Sequence, residues 1–201
     1  IMRNQSSLVK ITVSFINLEQ IFAGLIFYAM GIGIARYLGF NIDWIKYITG
    51  QLAFTLLQLC SIFLQAHFDL ADLGKRNYLY EKIGENLKPR ITVYLQKILL
   101  FAALSFLIVS TAFFVLIILN TRISGQTILL IISYILAIIL FVLPPISLSR
   151  TSIGVILESF IMAFLFSAFS YTLQGNDLHK LVLFLSFPLF LLFINMRIIT
   201  S

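Results

Sequence analysis

Acidic and basic side chains that could bind a metal diphosphate follow the second apolar stretch of the sequence. Asp69 and Asp72 lie three residues apart there, and Lys75 and Arg76 come about one turn later. If the second helix continues this far, both carboxylates share one of its faces and could hold one divalent cation. The two cationic side chains could then neutralise phosphate oxygens. The alternative is a solvated loop beside the membrane with ordinary charge pairs, which composition alone favours.

Glu158 lies about one turn inside another apolar stretch. An ionisable side chain is costly in such a position, which makes it a candidate functional residue. It could line a polar cavity, or it could lie near the cytoplasmic interface and pair with Arg150 or another loop cation. Glu19 and Gln20, at the start of the first apolar stretch, admit the same two interpretations. Arg197, near the end of the last stretch, could reach water by snorkelling without binding any substrate.

The elements that position these residues are predicted from the distribution of charge. Of 201 residues, 60% are hydrophobic and 11% charged, which is too apolar for the surface of a soluble domain. Six segments contain no charged residue: 20–35, 47–66, 98–121, 123–149, 159–176 and 181–196. Each is near the length that a helix needs to cross roughly 30 Å of hydrocarbon.

These segments predict an all-α, polytopic transmembrane helical bundle. Only helices and closed barrels satisfy the backbone inside a bilayer, and the continuous Leu, Ile and Phe runs lack the alternation of barrel strands. The predicted spans are 16–37, 46–66, 97–119, 126–147, 153–174 and 180–199, in a single domain covering 1–201. Pro144 and Pro145 are expected to end or kink the fourth helix. Three glycines are expected to permit close helix approach: Gly24, Gly31 and Gly33.

The basic residues predict which side of the membrane each loop occupies. With a cytoplasmic N-terminus, ten of them lie inside: Arg3, Lys10, Lys75, Arg76, Lys82, Lys88, Arg90, Lys97, Arg150 and Arg197. Four lie outside: Arg36, Lys46, Arg122 and Lys180. The positive-inside rule therefore places both termini and the long second loop in the cytoplasm. We expect a multi-pass protein of the cytoplasmic membrane of a prokaryote.

Several partners and chemistries are not indicated. The net charge of +6 is scattered among loops, so membrane topology explains it better than a nucleic-acid partner does. Cys60 is the single cysteine and lies in an apolar span, which favours a small core residue over a redox or metal role. The sequence contains no Gly-rich phosphate loop, Ser/His/Asp constellation or paired-histidine pattern. Hydrolase and nucleotide-driven pump chemistry are therefore unsupported, whereas transport stays open.

The order of these features resembles the UbiA superfamily of intramembrane prenyltransferases over most of the chain. The first span carries a small-residue stretch, Gly31-Ile-Gly33-Ile-Ala35, and the second leads into a segment like the family's Asn-Asp-x-x-Asp-x-x-x-Asp motif. The later features of the resemblance are Arg76, Gly84, Leu87-Lys-Pro89-Arg, Pro144-Pro145, Ser147, Gly154, Glu158, Gly175 and Asn195-Met-Arg197.

The sequence also departs from the family's two Asp-rich motifs. Gln65 and Ala66 replace the first Asn and the first Asp, and Leu73 stands in the last Asp position, one residue after Asp72. Asp69 is in its expected place. In the second motif, Ile198 stands where an Asp should follow. The resemblance implies that the chain corresponds to the N-terminal two-thirds of a nine-helix protein and is divergent.

The resemblance implies a function as well as a fold. Mg²⁺ would be held by Asp69 and Asp72 and would bridge an isoprenyl diphosphate, whose phosphates would contact four residues: Lys75, Arg76, Asn195 and Arg197. Glu158 would line the acceptor cavity. The isoprenyl group would pass to a hydrophobic aromatic or lipid acceptor, such as a quinone precursor, within the membrane lipid. Two alternatives stay open: a catalytically inactive protein with the UbiA fold, and a small membrane transporter.

Overall fold

Helices account for nearly all of the backbone that the structure describes. A computed structural model describes residues 18–72, 89–120, 123–143, 148, 151–175 and 177–200. The α-helices are α1 Leu18–Tyr37, α2 Trp44–Asp72, α3 Pro89–Asn120, α4 Gly125–Val142, α5 Ser152–Phe160, α6 Ser167–Gly175 and α7 Lys180–Thr200. A π-helical turn, Ile161–Phe166, joins α5 to α6 without a break, so that the three form one span. The described residues include no β-strand.

Six of these spans are long and apolar enough to cross a membrane, which confirms the predicted all-α membrane architecture. The first, fifth and sixth match their predicted bounds within about two residues. The second helix continues six residues beyond its predicted end, to Asp72, and the third begins eight residues before its predicted start, at Pro89. At 1.5 Å per residue, α2 is roughly 43 Å long and extends beyond a 30 Å hydrocarbon core.

The helices alternate in direction, as contacts at both ends of the bundle show. Gln20 in α1 contacts Gln58 in α2, whereas Tyr28 further along α1 contacts Tyr47 near the start of α2. Likewise, Ala53 of α2 contacts Ser110 of α3. We call the end of the bundle where α2 stops and α3 starts the loop end. The opposite end, which carries residues 38–43, is the turn end.

Aromatic side chains fill the centre of the bundle. Phe54 of α2 stacks on Tyr134 of α4, with ring centroids 4.6 Å apart and planes 3° apart. Its nearest other aromatic neighbours are Phe169, with centroids at 4.2 Å, and Phe166, with centroids at 5.1 Å. All four side chains are buried. Since offset and edge-on aromatic contacts add to the gain from burial, this cluster fixes the relative position of the second, fourth and fifth spans.

The outer sides of the helices are suited to lipid. Large apolar side chains such as Phe101 and Ile108 of α3 are mostly exposed. The hydroxyl groups among them bond to their own helix: Ser105 donates to the Phe101 carbonyl at 2.8 Å, and Thr111 donates to the Ile108 carbonyl at 2.8 Å. A hydroxyl satisfied within its own helix needs no partner from the surroundings, so these side chains can face hydrocarbon.

Helix α4 ends where the two prolines predict. Its last residue is Val142, and Leu143 adopts an extended conformation with φ −77° and ψ 133°. The residue before a proline is disfavoured in the α region because the proline ring crowds its backbone. Pro144, Pro145 and Ser147 themselves lie outside the described residues, as does Arg150.

Asp43 caps the start of α2 at the turn end. Its Oδ1 accepts hydrogen bonds from the amides of Ile45 and Lys46 at 3.1 and 3.2 Å, which satisfies donors that have no partner inside the helix. We expect Asp43→Ala to lower the free energy of unfolding by about 1 kcal/mol. Asp43→Asn should retain most of the stability, because the amide oxygen still caps the helix.

Chemical denaturation in mixed micelles would measure both Asp43 variants. The charge contributes little in this view, since the Lys46 ammonium is 3.9 Å from the Asp43 carboxylate and both side chains are partly exposed. An equal loss in Asp43→Asn and Asp43→Ala would contradict the capping role and assign the effect to charge.

Candidate functional site

A buried ion pair lies near the loop end of the bundle. Arg197 Nη2 of α7 donates to Glu158 Oε2 of α5 at 2.8 Å. The Glu158 side chain is 5% exposed and that of Arg197 is 24% exposed. A charge in a membrane span is expensive, and a partner of opposite sign with good hydrogen-bond geometry reduces that cost. Glu158 therefore pairs with a cation 39 residues away along the chain.

The other oxygen of Glu158 binds an amide from α1. Gln20 Nε2 donates to Glu158 Oε1. Gln20 is in turn held by α2, because Gln58 Nε2 donates to the Gln20 carbonyl at 2.7 Å. The Gln58 amide also contacts the Met162 sulfur at 3.8 Å. Four spans therefore meet at one hydrogen-bonded cluster, which we call the Glu158 cluster: Gln20, Gln58, Glu158 and Arg197.

Gly24 makes room for this cluster. A Cβ atom at Gly24 would lie 2.7 Å from Gln58 Oε1 and 3.1 Å from the Phe166 ring. Any larger residue at this position would displace the Gln58 amide. The close helix approach predicted at Gly24 therefore allows Gln58 of α2 to hydrogen bond to the backbone of α1.

A small cavity opens beside the Glu158 cluster. Its lining is polar on one side, with Gln20, Gln58, Ser61, Gln65 and Glu158. The remaining lining residues are Ile62, Tyr134, Ile138, Phe141, Ile161 and Met162. The space open to the centre of a water-sized molecule is about 30 Å³, which is room for a water molecule or two. Glu158 lines this cavity and also pairs with a cation, but that cation is Arg197 of α7 and not the predicted loop cation.

Helix α2 carries polar residues from this cavity towards the loop end. Gln58, Ser61, Gln65 and Asp69 recur every three or four residues, and so they lie on one face of the helix. We call these four residues the polar stripe. Gln58 is buried, whereas Ser61, Gln65 and Asp69 are partly exposed. The polar stripe thus connects the candidate metal ligand Asp69 with the cavity at Glu158.

The extension of α2 to Asp72 satisfies the condition on which the predicted metal site rests. Asp69 and Asp72 belong to one continuous helix, three residues apart, and so share a face. The side chain of Asp72 lies outside the described residues, as do Lys75 and Arg76 entirely. Within the described ranges, no group of three or more His, Cys, Asp and Glu residues could hold a metal ion.

The predicted diphosphate contacts on the last helix separate in space. Arg197 joins the Glu158 cluster. Asn195 is exposed, and two residues apart on a helix do not face the same side. His67, beside the stripe, bonds through Nδ1 to the Gln96 carbonyl at 2.9 Å and thereby ties α2 to α3. That contact gives His67 a structural role.

Two residues of the site were not singled out by the sequence: Gln58 and Ser61. A signal for them was present, because glutamines recur at positions 51, 58 and 65 with a spacing of seven. Residues seven apart lie on one face of a helix, and a polar face in an apolar span is expected to line protein or water. Gln20 was noted only together with Glu19, and the structure separates them: Glu19 is exposed.

Comparisons of the chain with protein-family models, with curated proteins and with solved structures give no match. What is established is therefore the architecture: a helical bundle of six spans suited to a membrane, with a polar cluster and cavity towards one end.

Proposed function

We propose that this chain is a divergent UbiA-type membrane prenyltransferase, or part of one. It would transfer an isoprenyl group from a diphosphate to an aromatic or lipid acceptor such as a quinone precursor. The observation that supports this best is the continuity of the polar stripe: Asp69 lies on the same face of α2 as Gln65 and Ser61, which line the cavity at Glu158.

An isoprenyl diphosphate has a highly charged head and a long apolar tail. Asp69 at the loop end, followed in the sequence by Asp72, Lys75 and Arg76, is suited to the charged head. Ile138, Phe141 and Ile161 offer an apolar surface beside the cavity. A substrate of this kind would place its reactive carbon where the polar and apolar surfaces meet. This match between amphipathic site and amphipathic substrate favours prenyl transfer over chemistry on water-soluble substrates.

The acidic residues fit the Mg²⁺ that the proposed reaction needs. Magnesium prefers oxygen ligands and is commonly bound by one or two carboxylates, with substrate phosphates and water completing its shell. Asp69, which is partly exposed, and Asp72, the last residue of α2, would supply two carboxylates of this kind. When bound there, the ion would neutralise charge on the departing diphosphate.

The chain's own residues would have three roles. Asp69 and Asp72 would hold the metal diphosphate at the loop end. Lys75, Arg76, Asn195 and Arg197 are the proposed diphosphate contacts, and the positive charge of Arg197 lies beside the cavity through its pairing with Glu158. Glu158 would line the acceptor end, where the acceptor would attack the allylic cation left by departure of the diphosphate, form the new bond and release a proton to water.

Diphosphate release tests the proposal. The protein, in lipid nanodiscs with Mg²⁺, would be offered isoprenyl diphosphates and aromatic acceptors, and the release of diphosphate measured. We expect Asp69→Asn to reduce the rate by about 100-fold or more, because a neutral amide binds the metal poorly and transition-state charge is then less well neutralised.

Asp177→Asn is the matched control for Asp69→Asn. Asp177 is an exposed carboxylate at the turn end, so its neutralisation should leave the rate unchanged. Release that persists unaltered in Asp69→Asn would remove the proposed metal site. If folded protein released no diphosphate with any acceptor, the inactive relative or the transporter would become the better account.

A further inference from the structure

The hydrogen bonds of the Glu158 cluster account for one residue of the polar stripe but not for the polar residues that follow it. Gln58 is accounted for by its hydrogen bond to α1, but Ser61 and Gln65 are partly exposed and line the cavity from its open side. Amide and hydroxyl groups lose several kcal/mol when moved into hydrocarbon without partners. Two such residues in succession on one face of a membrane span indicate that this face meets water.

The polar stripe is partly exposed at one end and buried at the other. Towards the loop end it reaches Asp69, a partly exposed carboxylate about one turn beyond Gln65. Towards the bundle centre it stops at Gln58, which is 3% exposed and hydrogen bonded to the Gln20 backbone. Beyond Gln58 the aromatic cluster around Phe54 closes the interior. Polar side chains therefore lead from Asp69 to the cavity at Glu158, with apolar aromatic packing beyond it.

The charges at the buried end determine what could bind there. Glu158 and Arg197 neutralise each other, so the pocket offers no net charge to a ligand. An anionic head group would be repelled by the Glu158 carboxylate, which lines the cavity, and a cationic one would have to compete with Arg197 for that carboxylate. The amide and hydroxyl side chains of Gln65 and Ser61 both donate and accept hydrogen bonds, which suits an uncharged hydroxyl or amide. The small volume admits a head group, while an attached chain would lie along Ile138 and Phe141.

We propose that the polar stripe lines a hydrated vestibule, open at the loop end, that admits the small uncharged head group of an amphipathic molecule as far as Glu158. The vestibule rests on the cavity and on the spacing of the stripe, and it does not depend on diphosphate chemistry. A transporter or an inactive relative would have it equally.

Cysteine accessibility tests the vestibule. In a Cys60→Ala background, Ser61→Cys and Gln65→Cys would be treated in nanodiscs with a charged, membrane-impermeant methanethiosulfonate. Such reagents attack the thiolate, which forms in water and not in hydrocarbon. Phe101→Cys is the matched control, because Phe101 is exposed on α3 at a similar number of residues from the loop end.

We expect both stripe cysteines to react at least about tenfold faster than Phe101→Cys, since thiolate formation requires water. Rates for Ser61→Cys and Gln65→Cys no faster than for Phe101→Cys would overturn the vestibule. Size-exclusion chromatography selects folded protein, and two independent reporters are used so that one poorly folded variant does not decide the result.

The class of head group is tested with three named amphiphiles. Dodecanol should slow the labelling of Ser61→Cys by threefold or more, by occupying the buried end. Dodecanoate and dodecylammonium, at the same lipid mole fraction, should not slow it. Equal protection by the charged compounds, or none by dodecanol, would overturn the assignment of an uncharged head group even where the cysteines are accessible.

Discussion

Arg197→Met is expected to lower the free energy of unfolding by about 3 to 5 kcal/mol, because it leaves a buried carboxylate without its counter-charge. Glu158 is 5% exposed and would retain only the Gln20 amide as a described hydrogen-bond donor. Chemical denaturation in bicelles, followed by tryptophan fluorescence or circular dichroism, would measure the change.

The reverse substitution provides the comparison. Glu158→Gln should cost less than Arg197→Met, because the Arg197 side chain is 24% exposed and can extend towards the end of the bundle to reach water. The double variant Glu158→Leu with Arg197→Met should recover part of the loss, since replacing both members of a buried pair by apolar groups is often neutral. Recovery should be partial because Gln20 loses its acceptor.

Substitutions at Glu158 and Arg197, made singly and together, measure how strongly the two side chains interact. If the costs of Arg197→Met and Glu158→Leu, each measured alone, simply add in the double variant, the two side chains do not interact in the folded protein. If each substitution lowers the free energy of unfolding by less than about 1 kcal/mol, the ion pair is as weak as an exposed one. The Glu158 cluster would then contribute little to the stability of the bundle.

Gly31→Ala is the second substitution with a large expected effect. A Cβ atom at Gly31 would lie 2.2 Å from the Ser167 carbonyl oxygen, a backbone atom that cannot turn away. The first span would have to separate from the fifth, with loss of the bond from the Ser170 hydroxyl to the Tyr28 carbonyl, now 2.6 Å. We expect a loss of about 3 kcal/mol, at the upper end for overpacking, measured by the same denaturation.

Gly33→Ala is the matched control, two residues along the same helix. In the part of the chain that the structure describes, no atom of another helix lies within 4 Å of a Cβ built at Gly33, so the close approach predicted there is not formed. Alanine is the better helix former, and Gly33→Ala should be neutral or slightly stabilising. Equal losses for Gly31→Ala and Gly33→Ala would show that helix flexibility, and not the contact with Ser167, makes glycine necessary.

Much of the architecture could be predicted from the sequence because lipid imposes a simple rule. A span must be apolar for about twenty residues, and six segments without charge meet that requirement. The ends of α2 and α3 could not be predicted in this way. Both helices continue beyond the hydrocarbon with residues such as Asp69, Asp72 and Arg90, where polarity no longer distinguishes a helix from a loop.

The ion-pair partner of Glu158 could not be predicted from closeness in the sequence. Arg150 is close in sequence, whereas Arg197, on a different helix, forms the ion pair in the structure. Helix packing brings these two together, and no local pattern encodes it. The metal and diphosphate roles proposed for the loop residues stay predictions, since Lys75 and Arg76 lie outside the described residues.

The π-helical turn Ile161–Phe166 has a consequence for how this chain tolerates change in length. A π turn holds one residue more than the α turn it replaces. Glu158 before it and Ser167 after it both contact α7, through Arg197 and Ser186. Removing one residue would let the π turn close as an ordinary α turn, so the two halves of the span would keep about the same relative orientation and both contacts could still be made. The π turn is therefore a point at which the fifth span can change its length by one residue without losing its two contacts with α7.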